Sequence, residues 1–246
     1  MIDLAANLDD VQERIAAAAR RAGRQAQEVS LVAVTKTQPP EIIQAAYDLG
    51  LRHFGENRVG EAAKKVGDLP QEITWHMIGH IQSRKARQVA PLFQIVHSVD
   101  RLKIARALDR HHPEGAGPLP ILLECNVSGE GSKYGFAADR WDAGRQSLDE
   151  AQRQALHAAV DQIVALPHLR VEGLMTMAPI VDDPEKARPV FRRLRRLRDH
   201  LAGAFPALSW HHLSMGMTDD FEVAIEEGAT LVRVGRAIFG PWRTAR

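Results

Sequence analysis

One cysteine, Cys125, stands in 246 residues. A disulfide within the chain is therefore impossible, no cysteine cluster exists for zinc or iron–sulfur ligation, and a reducing compartment is the simple expectation. Net charge is equally scarce. Thirty-two Lys and Arg against 31 Asp and Glu leave +1, which supplies no global field to draw nucleic acid or an anionic membrane, so any basic site has to be local. No apolar run approaches the ~20 residues of a membrane span. Asp3, Asp9, Asp10 and Glu13 interrupt the start of the chain where a signal peptide needs unbroken apolar sequence, so a cytoplasmic protein is expected. What is present, 45% hydrophobic and 26% charged residues, is an ordinary globular balance. A chain of this length buries roughly 70–75% of the surface that its unfolded form exposes, and so needs no disulfide or metal staple.

Leu4, Leu8, Val11, Ile15, Ala19 and Ala22 recur at helical spacing and Gly23 supplies a left-handed stop, which predicts an amphipathic first helix within residues 1–30. After it, short runs of Val, Ile and Leu alternate with longer segments of helical period. Strands are predicted at 31–35, 52–55, 74–78, 94–99, 121–127, 171–176, 210–213 and 231–234, with helices at 39–50, 57–66, 82–90, 101–111, 149–166, 184–203 and 219–227. No Pro/Gly/Ser-rich linker interrupts the rhythm. Eight strands alternating with helices over residues 31–240 predict an α/β protein, a single (β/α)8 TIM barrel with an extra N-terminal helix, one domain over residues 1–246. A doubly wound open sheet is the alternative. The longest irregular stretch, 128–148, follows the fifth strand, where a barrel places functional loops.

A barrel builds its active site from the C-terminal ends of its strands, so the point at which each apolar run turns polar is informative. Those points are Thr35 and Lys36, Glu56 and Asn57, Gly79 and His80, His97 and Ser98, Asn126 and Ser128, Met175 and Thr176, the run from Ser214, and Arg233 with Gly235 and Arg236. All are expected at one mouth. Burial at a strand end favours the neutral amine of Lys36, the form that condenses with a carbonyl; the alternative is a lysine that snorkels to solvent. The loops after the seventh and eighth strands, SMGMTDD and VGRA, fit the usual phosphate-binding pair of this architecture, with hydroxyls from Ser214 and Thr218 and close backbone approach at Gly216 and Gly235. An amine nucleophile opposite a phosphate cradle specifies a ligand bearing an aldehyde and a phosphate. Pyridoxal phosphate fits, and so does the substrate of a phosphosugar aldolase. Arg233, pointing inward, would hydrogen-bond a pyridine nitrogen and keep it unprotonated, a weaker electron sink; equally, it would pair with Glu56.

The stretches LVAVTKTQP, HFGENRVGE, WHMIGHIQSRK, NVSGEGSKYGF, GLMTMAP, HHLSMGMTDDFEVAIEEGAT and VRVGRAIFG, in this order along nearly the whole chain, resemble those of the pyridoxal-phosphate homeostasis protein family, which looks like the barrel domain of alanine racemase standing alone. The resemblance implies pyridoxal 5'-phosphate held as a Schiff base by Lys36, with Ser214, Thr218 and the backbone near Met217, Gly235 and Arg236 around its phosphate, Arg233 at its ring nitrogen and Asn57 lining the same mouth. It implies a carrier or regulator of vitamin B6 instead of a racemase, with no catalytic residue assigned. Its partners would be the cofactor and cofactor-dependent apoenzymes, in a monomer that binds neither nucleic acid nor membrane. Two departures stand out. Arg236 replaces the family's small hydroxyl residue, and Arg84 replaces an asparagine in the stretch after His80; Thr218 for serine keeps the hydroxyl.

Other signals are weaker. His76 and His80 stand four apart but lack the glutamate and the helix of a metalloprotease pair, so no metal site is assigned. Gly129–Gly135 fits neither phosphate-loop pattern. The arginines of 188–198 alternate with an apolar stripe, which predicts a solvated helix face. A two-base racemase needs a second acid or base opposite the first, which alanine racemase takes from another domain and a partner subunit. The segments outside 31–240 are expected to be too short to supply one, and a binding and delivery protein is favoured over a weak racemase or lyase.

Overall fold

The computed structural model describes residues 3–142 and 149–240. Among them, α1 (Leu4–Arg21) starts where the Asp3 carboxylate accepts from the Ala6 amide, buries Leu8, Val11 and Ile15, and ends before Gly23 at φ +68°. Strands β1 (Ser30–Val34), β2 (His53–Glu56), β3 (Thr74–Met77), β4 (Ile95–Val99), β5 (Leu119–Asn126), β6 (Phe136–Ala137), β7 (Leu169–Met175), β8 (His212–Ser214) and β9 (Leu231–Val234) follow. They alternate with helices α2 (Pro40–Asp48), α3 (Val59–Ala62), α4 (Ala86–Val89), α5 (Leu102–His111), α6 (Glu150–Val164), α7 (Arg188–Ala204), α8 (Phe221–Glu226) and α9 (Arg236–Phe239). All pairings are parallel. β1 lies between β2 and β9, the ladder continues through β8 and β7 on one side and β3 and β4 on the other, and β4–β5 pairing closes the ring. The eight-stranded closed barrel expected from the strand–helix rhythm is thus present, and the open-sheet alternative is excluded. Closure leaves the ring without an open edge.

Two differences have physical causes. The stretch expected to be irregular contains β6, which pairs with Cys125 and Asn126 at the end of β5; two residues are too few for a periodic signal. Residues 143–148 of that stretch, like 1–2 and 241–246 of the expected domain, lie outside the described residues. The helices expected at 57–66 and 82–90 are each a single α turn joined to a 3-10 turn at Val66–Asp68 or Ser83–Lys85.

Strand alternation sorts the core into two parts. Ala33, Phe54, Trp75, Met77, Leu123, Leu213, Val232 and Val234 join one large cluster with the helices, whereas Val32, Leu122, Met175 and Leu231 form a small separate cluster that fills the barrel. Between β7 and β8 the packing is tightest. At Gly173, with φ +153° and a register shift beside it, a Cβ would come within 1.9 Å of the His212 carbonyl oxygen.

Candidate functional site

The alternation that sends Val32 inward also carries Lys36, just past β1, to the mouth of the barrel. Lys36 is half-buried. Burial, and then the charges of Arg236 and Arg58, hold its ammonium below the ordinary lysine range, so loss of the proton is eased at this position. The next residue, Thr37, has φ +62°, a left-handed conformation that is an outlier for a β-branched side chain and costs on the order of 1–3 kcal/mol.

The neighbouring residues Thr35 and Glu56 face outward. Thr35 Oγ1 donates to Glu56 Oε1 at 2.7 Å, and Lys65 Nζ donates to the same oxygen at 2.8 Å and to the Thr35 carbonyl at 3.0 Å. Glu56 is wholly buried and burial raises its pKa. Its ion-pair partner is Lys65, so the pairing of Glu56 with Arg233 weighed above is not formed.

Arg233 instead enters the barrel interior from β9. It donates from Nη1 to Ser214 Oγ at 2.5 Å and from Nη2 to the Thr176 carbonyl at 2.9 Å. Burial pulls its pKa down to about 10 against the opposing pull of Asp220 and Glu124. Ser214 Oγ also lies 2.8 Å from His97 Nδ1, His97 Nε2 lies 2.8 Å from His76 Nδ1, and His76 Nε2 lies 3.0 Å from His53 Nδ1. Burial pushes His76 and His97 well below the ordinary histidine range, so both rings are neutral. Glu124, on the inward face of β5 and 7% exposed, is raised to about 7 by burial and by the nearby charge of Asp100.

The two loops expected to hold a phosphate do meet. Arg236 pairs with Asp219, tying the start of α9 to the loop after β8. Gly216 has φ +91°, and a Cβ there would lie 2.6 Å from that of Ala224, so only glycine permits this turn. Thr218 is half-exposed beside it, and Gly235 is the buried residue from which α9 starts. The Met217 amide already donates to Asp220 Oδ1 at 2.6 Å, and the Ser214 hydroxyl is wholly buried on Arg233 and His97. Asn57, with Gly79 and His80, lines a cavity of about 760 Å³ that extends outward past Lys64 and Val89 and includes none of Lys36, Ser214 or Arg233. On the far side, Tyr134 stacks on His80 with ring centroids 3.8 Å apart, and His80 Nδ1 lies 3.1 Å from Asp100 Oδ2. His76 and His80 therefore diverge, one into the interior and one to the rim.

Glu124 and the link from His97 to Ser214 were not recognised from sequence. Counting back two positions from Asn126 along an inward-facing strand finds Glu124; the histidine link needs the register of strands far apart in the chain.

The sequence profile of the alanine racemase N-terminal domain family matches residues 6–242. The chain is 44% identical to a pyridoxal phosphate homeostasis protein of Pseudomonas aeruginosa, over 98% of this chain and 96% of that one. It is 39% identical to the protein of that name in Escherichia coli, over 98% and 97%. The structure of PipY from Synechococcus elongatus with PLP bound superposes with a TM-score of 0.78 at 32% identity, covering 97% of this chain and all of that one.

Proposed function

This chain belongs to the alanine racemase N-terminal domain family and, within it, to the pyridoxal phosphate homeostasis proteins, and from that membership we propose that it binds pyridoxal 5'-phosphate through Lys36 and buffers or delivers it as a monomeric cytoplasmic carrier. When bound, the cofactor supplies an aldehyde, which a neutral amine attacks to form a Schiff base with loss of water. The observation that carries the reading is Lys36, an inward, half-buried amine with a depressed pKa at the mouth whose interior holds the buried cation Arg233. The donor set suits the group. Thr218 and the first amides of α9, which a helix leaves without internal partners, suit a phosphate. Arg233 can only donate, so it would hold a pyridine nitrogen unprotonated. Ser214 serves the ring end by fixing Arg233. Arg236, beside both Lys36 and Asp219, adds positive charge where the family resemblance leads one to expect a hydroxyl. Asn57 closes the side of the mouth. Recipients would be apoenzymes that require the cofactor.

Protein mixed with pyridoxal 5'-phosphate should show a visible absorption band, borohydride should fix the label on Lys36, and Lys36→Ala should lose both. An unchanged band in that variant would sink the assignment. A second reading, weak amino-acid racemase or lyase activity, has one observation in its favour: Glu124 is an inward-facing carboxyl whose pKa burial raises to about 7. Turnover of an amino-acid panel above that given by the free cofactor would support it.

A further inference from the structure

The barrel interior carries a continuous hydrogen-bonded string that the cofactor site does not by itself require. It begins at His53, at the N-terminal end of β2 and half-buried, passes through His76 and His97, and ends across the barrel interior on Ser214 and Arg233. Arginine is only a donor, and one consistent set of directions follows when the Ser214 hydroxyl is the donor to His97. Ser214 Oγ accepts from Arg233, which leaves its hydroxyl proton for His97 Nδ1. His97 then carries its proton on Nε2 and donates to His76 Nδ1, and His76 donates from Nε2 to His53 Nδ1. All three rings are thereby held as neutral Nε2–H tautomers, each with its lone pair turned toward Arg233.

We propose that His53, His76 and His97 are a positioning relay for Arg233, coupling the half-buried start of β2 across the barrel interior to the ring end of the bound cofactor. The inference rests on the reading of Arg233 as the ring-nitrogen residue. Its physical basis is the cost of the alternatives. A ring with its Nδ1 protonated at His97 would donate to Ser214 and turn the hydroxyl away. A charged ring would place a second cation one serine away from Arg233 in a water-free interior, where repulsion is strong. The entry point is His53, faced by His76 from β3 and by His212 from β8; His212 Nε2 lies 4.0 Å from Glu172 of β7, which pairs with Arg170. At the other end, Arg233 feels Glu124 of β5 and Asp220 before α8. A proton captured at His53 removes the acceptor for His76 and reverses the string, so acidification changes the hydrogen bonding of the serine that holds Arg233 without touching the cofactor directly.

The test uses the full chain labelled with 15N-histidine. In cofactor-free protein, two-bond proton–nitrogen spectra should show His53, His76 and His97 as neutral Nε2–H rings at neutral pH; an Nδ1–H or charged His97 would overturn the relay. Addition of pyridoxal 5'-phosphate should shift the ring resonances of His53, at the far end of the string, and a His53 that stays still while His97 moves would overturn it as well. His76→Phe, which keeps the volume and cuts the string, should abolish the His53 response and weaken cofactor binding by about threefold to tenfold, the scale of one lost hydrogen bond. If that variant does not fold, the wild-type spectra decide. Failure of the binding reading shows separately, as no borohydride label on Lys36, whereas the tautomers of the cofactor-free protein report on the string alone.

Discussion

Glu124 carries the clearest pH signature of any single residue at the mouth. Its acid is raised from 4.5 to about 7, so the folded protein binds the proton more tightly than the unfolded chain. The wild type is therefore unpenalised below the unfolded value and loses stability as pH rises from about 4.5 to about 7, by at most about 3 kcal/mol. Glu124→Gln removes the titration. Urea unfolding at about pH 5 and about pH 8 should show the variant gaining on the wild type at the higher value; parallel curves would refute the assignment. Residue chemistry was only half legible in the sequence. Lys36 and Arg233 could be picked because a charge at the end of a buried strand is costly and has to be used. Thr35 and Glu56 were named with them because a strand end alone does not say which of two neighbours faces in. The structure shows alternation sending Thr35 and Glu56 out to Lys65.

At the scale of elements, strands were legible and short helices were not. Strand β1 and the first part of β5 are apolar on both faces and read as continuous runs, as a sheet buried on both sides requires, while β7 and β9 keep enough Val, Leu and Met around Arg170, Glu172 and Arg233 to be read as strands. α3 and α4, with four residues each, carry less than two turns of pattern. The arginine-rich α7 behaves as its apolar stripe predicted: Phe191, Leu194, Leu197 and Leu201 are buried, while Arg188 and Arg192 pair with Glu227 and Arg196 with Asp142. The β7–β8 contact yields a prediction of its own. Gly173→Ala forces a Cβ into the His212 carbonyl in a backbone region that is almost exclusive to glycine, and should cost at least about 3 kcal/mol. Because it displaces β8 and with it Ser214, the visible band should weaken along with the thermal midpoint, measured together on one sample. A variant of normal stability would refute the tight contact.

The whole molecule depends on one long-range closure. Ser30 of β1 pairs with Leu231 of β9, so the ring is completed by strands from opposite ends of the barrel sequence, a high-contact-order arrangement that folds slowly. Deleting residues from 229 onward should leave β1 and β8 with open edges and yield aggregated protein, read by sedimentation; a soluble, folded truncation would show that closure is dispensable. The same closure sets a clock for Lys36. On the ribosome that lysine emerges early, as a solvated, fully charged amine that does not react readily with aldehydes. Arg236, whose charge helps to depress its pKa, and β9, which pairs with β1 ahead of it, come about 200 residues later in the chain. The lowered pKa of Lys36 therefore exists only once the barrel has closed, and in the unfolded chain the residue is an ordinary charged lysine.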